Sequence, residues 1–133
     1  MQYRIYQSME RKSLMSVNFE KRNGIIPVVV QDLKTREVLM LAYVNQEALK
    51  KTNTTGNAWF WSTSKGKLWM KGEESGNIQP VKEIRMDCDL DAALYIVESD
   101  HPACHTGQRS CFHHMLTNLA PPNKRTNIDA SSD

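Results

Sequence analysis

Asp87-Cys88-Asp89-Leu90-Asp91, Ala103-Cys104-His105-Thr106-Gly107 and Ser110-Cys111-Phe112 carry most of the residues in this chain that could do chemistry. All three cysteines, three closely spaced carboxylates and His105 fall within residues 87–111. Hard carboxylate oxygens suit magnesium, and soft thiolates suit zinc. If residues 87–91 are extended, Asp87, Asp89 and Asp91 share one face and Cys88 points to the other. One short strand would then serve two different metals. A helix would turn Asp89 away from Asp87 and Asp91.

Each group also has a plainer reading. A lone cysteine is most often a small buried apolar residue, and Cys88 in a strand fits that reading as well. Cys104 and Cys111 flank His105 and Gly107 in a polar, irregular segment, a poor place for core packing. The spacing C-x15-C-x6-C matches no common four-ligand structural zinc finger. Three protein ligands and an open position is the catalytic zinc arrangement, in which bound water falls to a pKa of about 7. A papain-like pair is the rival chemistry, but Cys104 and His105 are adjacent and would point apart on a strand. The aspartates resemble the start of an EF-hand loop, with Glu98 at its last position. Ala92 stands where that loop needs glycine, and the apolar run Ala92 to Val97 argues for a strand.

The elements that must position these residues are legible in outline. Ile25 to Val30 is rich in β-branched residues and predicts a strand. Asp32 to Arg36 reads as a turn, and Glu37 to Val44 as a second strand of a hairpin. Asn45 is a helix cap before Gln46 to Lys51, and Gly56 ends that region. Ala58 to Thr63 and Lys67 to Lys71 read as strands about a Lys65-Gly66 turn. Trp59 and Trp61 share one strand face, consistent with a core. Gly72 to Asn77 is a glycine-containing loop, Ile78 to Met86 a strand with Pro80 marking an edge or bulge, and Ala92 to Val97 another strand. Lys71 and that loop could hold an anion, although an ordinary surface turn reads equally well. His101, His113 and His114 show no pattern beyond solvated or packed histidines. The expected fold is β-rich α+β, with mainly antiparallel strands and one or two short helices. Residues 1–15 form an N-terminal extension, 16–116 the domain, and 117–133 a flexible tail.

The 133 residues, with 40% hydrophobic and 24% charged, fit one globular domain. A net charge of +2 does not by itself imply a nucleic-acid partner. The longest apolar run, Val38 to Val44, is far shorter than the ~20 residues that span a bilayer. No signal-peptide core is visible. Three cysteines cannot all pair within one chain. Together these features predict a cytoplasmic protein with reduced thiols, no membrane and no nucleic-acid partner.

The ordered segments GIIPVVVQD, EVLMLAYVN, FWSTSKGKLWMKGEESGN, DCDLD, ACHTG and SCF resemble the phosphoribosyl-AMP cyclohydrolases of histidine biosynthesis, over about residues 17–115. The resemblance implies a hydrolase that opens the adenine ring of phosphoribosyl-AMP at N1–C6, with a zinc-activated water attacking C6. It implies zinc ligands at Cys88, Cys104 and Cys111, and magnesium ligands at Asp87, Asp89 and Asp91. It also implies a homodimer whose zinc site draws on both subunits. His105 is the candidate for proton transfer or a fourth zinc ligand. Lys65, Lys71, Gly72, Ser75, Gly76 and Asn77 are the candidate substrate contacts. Where relatives often carry arginines this chain has Thr63 and Lys65, and lysine keeps the charge without bidentate geometry. The 18 residues after Met115 are too few for the pyrophosphohydrolase domain fused to many relatives, so a single-activity form is expected. Two other classes compete. A non-enzymatic metal-binding module would explain the ligands but not an open coordination position. A zinc nucleobase deaminase would need an H-x-E…P-C-x-x-C signature that is absent.

Overall fold

A computed structural model of the chain describes residues 10–116 and 120–124. The sequence IPVVVQD forms strand β1 (Ile26–Asp32), in which Ile26, Val28, Val30 and Asp32 alternate into the interior. The two-residue period follows from the pleat. Strand β2 (Val38–Val44) returns antiparallel beside it. Asp32 closes the turn between them, its Oδ2 accepting the backbone N–H of Lys34 at 3.0 Å and of Thr35 at 2.8 Å.

Helix α1 (Gln46–Thr55) begins where Asn45 Oδ1 accepts the Ala48 N–H at 2.9 Å. Such a cap contributes about 1 kcal/mol. The helix ends at Gly56, whose φ of +77° suits a residue without Cβ. It runs past Lys51 because Thr52 is a tie rather than a helix breaker. The Thr52 hydroxyl donates to Ala48 O at 3.0 Å and accepts the Trp59 N–H at 2.9 Å. The phenol of buried Tyr95 donates to the same hydroxyl at 3.1 Å.

Strands β3 (Trp59–Ser62) and β4 (Lys67–Met70) form the expected hairpin. Strands β5 (Val81–Met86) and β6 (Ala93–Val97) form another. The main sheet has the order β2-β1-β6-β5, with β1 and β6 parallel and the other pairs antiparallel. The observed fold is thus α+β with strands in one mixed sheet and one antiparallel hairpin. β5 is an edge strand, as Pro80 suggests, and its register shifts between Val81 and Glu83. It starts three residues later than the sequence predicts. Pro80 has no N–H to donate to a ladder; it forms an isolated bridge with Asn57, and its carbonyl accepts the Glu98 N–H at 3.0 Å.

One expectation about the core is corrected. Phe60, not the Trp59–Trp61 face, is fully buried, while both tryptophans are partly buried and Trp59 packs against the border of the core. Phe60 seats the hairpin on the sheet, its ring 4.8 Å from that of Trp69 and 5.7 Å from that of Tyr95. Trp59 also lies under the ammonium of Lys51, which is 5.0 Å from its ring centre. An indole that keeps part of its surface wet can serve as a cation partner.

Most of the expected flexible tail, residues 117–119 and 125–133, lies outside the described residues, as do residues 1–9 of the N-terminal extension. Among the described residues, no helix is long and apolar enough to cross a membrane.

Candidate active site and metal-ligating residues

The segment Asp87-Cys88-Asp89-Leu90-Asp91 is a turn, not a strand. β5 and β6 are paired up to Met86 and Ala93, so the intervening chain must reverse. Asp87 drives the reversal. Its Oδ1 accepts the N–H of Asp91 at 3.0 Å and of Ala92 at 3.2 Å, and its carbonyl accepts the Leu90 N–H at 3.2 Å. Aspartate favours such local side-chain to backbone bonds. Leu90 takes the left-handed conformation, φ +62°. The carboxylates still converge, with one ligand oxygen from each of Asp87, Asp89 and Asp91 within 4.8 Å of the others. Curling of the turn achieves this, not the pleat of a strand. Cys88 is accordingly not on an opposite face, since its Sγ lies 4.0 Å from Asp89 Oδ1.

The cluster fits a hard cation. Asp91 is 1% exposed, and its Oδ1 has no hydrogen-bond partner among the described residues. A buried carboxylate oxygen left so is costly unless a cation satisfies it. Its other oxygen meets Lys21 Nζ and Arg22 Nε, each at 3.1 Å. Lys21 also pairs with Asp89, and this contact, followed by a hydrogen bond with Asp91, holds the Asp89 carboxyl down to about 2.

Cys104 and Cys111 sit at the other end of the sheet. The Cys111 N–H donates to Leu39 O at 2.7 Å, and the Ser110 hydroxyl donates to Val38 O at 2.7 Å, along the free edge of β2. The loop carrying Cys104 closes on itself through Ala103 N to Arg109 O at 3.1 Å and Gly107 N to Cys104 O at 3.0 Å. Arg109 anchors it, donating to Ser99 O at 2.6 Å and pairing with buried Asp32 at 3.1 Å. Burial pushes the Asp32 carboxyl up, but bonds from Thr35, Arg109 and Lys34 outweigh it and leave it below its ordinary value. The two thiols feel one another. The Thr106 hydroxyl, 3.0 Å away, is the main cause of a lowered Cys104 thiol, and loss of solvent followed by the Cys104 charge raises Cys111. A low and a high thiol side by side form a pair of soft ligands.

These two thiols fit zinc, but Cys88 does not join them within one chain. Cys111 is level with Val30 and Gln31 on the outer edge of β2, and Cys88 lies beyond the Val28–Ala93 level, past β6. Strand spacing of ~4.8 Å and a rise of ~3.3 Å per residue separate them by roughly 20 Å. Thiolates on one zinc, at about 2.3 Å each, lie within about 5 Å of one another. Among the described residues, the three aspartates are the only set of three His, Cys, Asp or Glu side chains close enough to hold one ion.

A cavity of about 690 Å³ opens beside Cys104, lined among others by Lys65, Lys67, Trp69, Gly72, Ser75 and Asn77 together with Cys104 and exposed His105. The structure therefore gathers five of the six candidate substrate contacts with the proton-transfer candidate. Lys71 is one of the five, but its ammonium donates to Ala103 O at 2.6 Å and so ties β4 to the cysteine loop. Gly76 is the exception. Its N–H is spent on Gly72 O at 2.8 Å and does not face the cavity as an anion donor. Lys67, Ser62 and Trp69 also line the cavity and are not among the substrate contacts expected from the sequence, where Trp69 reads as a packing residue. The Lys65-Gly66-Lys67 turn was the available signal, since it sets two cations at the hairpin tip. A second cavity, about 550 Å³, is lined by Arg11, Lys12, Arg85, Asp87 and Cys88.

Comparison with known proteins shows the family of the chain. A family model described as phosphoribosyl-AMP cyclohydrolase matches residues 40–113. The phosphoribosyl-AMP cyclohydrolase of Cenarchaeum symbiosum is 60% identical, over 81% of this chain and 99% of that protein. That of Nitrosopumilus maritimus is 56% identical, over 79% and 97%. A histidine biosynthesis bifunctional protein of Pyrococcus furiosus is 62% identical, over 79% of this chain but 50% of its own length. On this match and these identities, the chain belongs to the phosphoribosyl-AMP cyclohydrolase family, a family of enzymes.

Proposed function

We propose that this chain hydrolyses the N1–C6 bond of the adenine ring of phosphoribosyl-AMP, a step of histidine biosynthesis, in a homodimer that uses zinc and magnesium. The observation that carries the reading is the convergence of Lys65, Lys67, Trp69, Cys104 and His105 on one cavity in a member of this family. Lys65 and Lys67 bring positive charge to a phosphate. Trp69 offers an apolar wall to the base or ribose. Cys104 and Cys111 would hold zinc with Cys88 of a second copy, and Asp87, Asp89 and Asp91 would hold magnesium. Zinc, when bound, supplies Lewis acidity and lowers the pKa of water, and magnesium supplies a hard charge suited to oxygen ligands.

In the reaction, water oxygen bonds to C6 and the N1–C6 bond breaks. One water proton passes to N1 and the other to the exocyclic imine nitrogen on C6, which stays as the NH2 of a carboxamide, so no ammonia leaves. His105 is exposed at the cavity rim and can take the proton from the attacking water and return it to N1, a role suited to imidazole near neutral pH. The loop from Gly72 to Asn77 walls the cavity and positions the substrate.

The second copy is supported by the distance between Cys88 and Cys111. A two-fold pairing that sets the 87–91 turn of each subunit against the other's cysteine loop forms two equivalent sites. Leu41, Tyr43 and Phe112, exposed at 44%, 40% and 62%, offer apolar surface near the free edge of β2 for such a contact.

Purified protein incubated with phosphoribosyl-AMP, with zinc and magnesium measured on the same sample, tests the reading. Ring opening without ammonia is expected, and release of ammonia or no turnover by metal-loaded protein overturns it. Asp87→Asn, Asp89→Asn and Asp91→Asn should each raise the magnesium needed for half-maximal activity about tenfold or more, while zinc content stays near wild type. Unchanged magnesium dependence in all three removes the aspartates from the site.

A further inference from the structure

The inference rests on the magnesium reading of Asp87, Asp89 and Asp91 and concerns the residues laid across them. The segment before β1 crosses the carboxylate turn. The Asn18 N–H donates to Leu90 O at 2.7 Å. Arg22 Nε meets both the carbonyl and a carboxylate oxygen of Asp91, at 3.2 and 3.1 Å. Lys21 Nζ meets Asp89 Oδ2 and Asp91 Oδ2. The two cations differ in kind. Arg22 holds backbone as well as side chain, so it fastens the segment whatever the carboxylates bind. Lys21 touches only carboxylate oxygens in this turn, and does so with a compact ammonium on a flexible stem. It is half-exposed, as is Asp89, so water can replace it at little cost.

We propose that Lys21 is a tethered counter-ion that competes with the divalent cation for Asp89 and Asp91. Three carboxylates in one turn repel one another, and Lys21 and Arg22 offset two of the three charges. A divalent cation needs the same oxygens, because its ligands must come from hard anions a short distance apart. Its binding displaces Lys21 and leaves the 18–22 segment held by Asn18, by Arg22 and by the packing of Phe19 against the core. Cation affinity is then set against this internal competitor, and the order of the N-terminal segment responds to the cation.

Isothermal titration of zinc-loaded protein with magnesium chloride, on wild type and Lys21→Met, tests the proposal without reference to turnover. Removing an exposed ion-pair competitor should tighten magnesium binding about 2- to 5-fold. Hydrogen exchange gives a second readout that a mere change in net charge would not move. Magnesium should speed exchange of the amides of residues 21–24 in wild type, where they bond to Asn18, Phe19 and Glu20. In Lys21→Met these amides should exchange fast already and ignore magnesium. Equal or weaker magnesium binding by Lys21→Met, or slower exchange of wild type on adding magnesium, overturns the competition and leaves the metal site intact. No magnesium binding by either protein overturns the metal site and the competition together.

Discussion

Cys88→Ser and Cys104→Ser proteins, each inactive alone, are expected to recover activity when mixed under conditions that exchange subunits. The expectation follows from placement. Cys104 and Cys111 lie by the outer edge of β2, and Cys88 lies in the turn after β5, at the opposite end of the sheet. If one zinc takes ligands from two copies, a mixed dimer holds one site with both lesions and one with none. Up to about half of wild-type activity should return per mixed dimer, or about a quarter in bulk if subunits pair at random. Zinc content should rise in parallel, because a site lacking one of three thiolates binds metal poorly. If all three thiolates came from one chain, every site in the mixture would carry a lesion. Mixed dimers shown to be present, with neither activity nor zinc regained, would therefore defeat the shared site. So would a fully active monomer.

Gly72→Ala should be the most damaging single substitution outside the proposed metal ligands. Gly72 has φ +87°, and a Cβ there would overlap the Asn77 carbonyl group and the Ile78 nitrogen. Those are backbone atoms, held by the Gly76 N–H bonded to Gly72 O at 2.8 Å, and they cannot swing aside as a side chain would. The loop must open, and with it the wall formed by Gly72, Ser75 and Asn77. Displacement of a substrate-positioning loop by about 1 Å can cost on the order of 100-fold in kcat/KM. Strain should remove roughly 1–3 kcal/mol of stability. Gly56→Ala is the control. It has a similar φ of +77° but nothing within 4 Å of a new Cβ, so it should cost about 1–2 kcal/mol and keep its kinetics. Thermal melts and steady-state kinetics on both proteins decide the matter. Matching kinetics for the two variants would show that the close approach at Gly72 does not shape the cavity.

Local chemistry explains which parts of this protein were legible without coordinates. The β1–β2 hairpin, the Asn45 cap, the Gly56 stop and the β3–β4 turn depend on residues within a few positions of one another. Their signals are strand alternation, a side-chain oxygen before a helix and a glycine with positive φ. The composition of the candidate metal-ligating groups was equally visible, because ligand softness belongs to the side chain itself. What spacing could not decide was the path of the backbone between ligands. A DCDLD segment suits a strand or a turn, and the antiparallel pairing of β5 with β6 selects the turn.

Long-range placement belonged to the tertiary structure alone. The parallel pairing of β1 with β6 joins residues more than 60 positions apart, and it sends the carboxylate turn and the cysteine loop to opposite ends of the sheet. Lys71 reaches Ala103, Arg109 reaches Asp32, and Lys21 reaches Asp89. Nothing in the neighbourhood of either partner announces these contacts. Spacing along the chain reports one element's faces, whereas which elements meet is chosen by burial summed over the whole core. Side-chain identity and short-range spacing therefore say which side chains can bind metal, carry protons or cap elements. Only the folded core decided that Asp87, Asp89 and Asp91 meet through a turn and not along a strand face, and that Cys88 does not meet Cys104 and Cys111 within one chain.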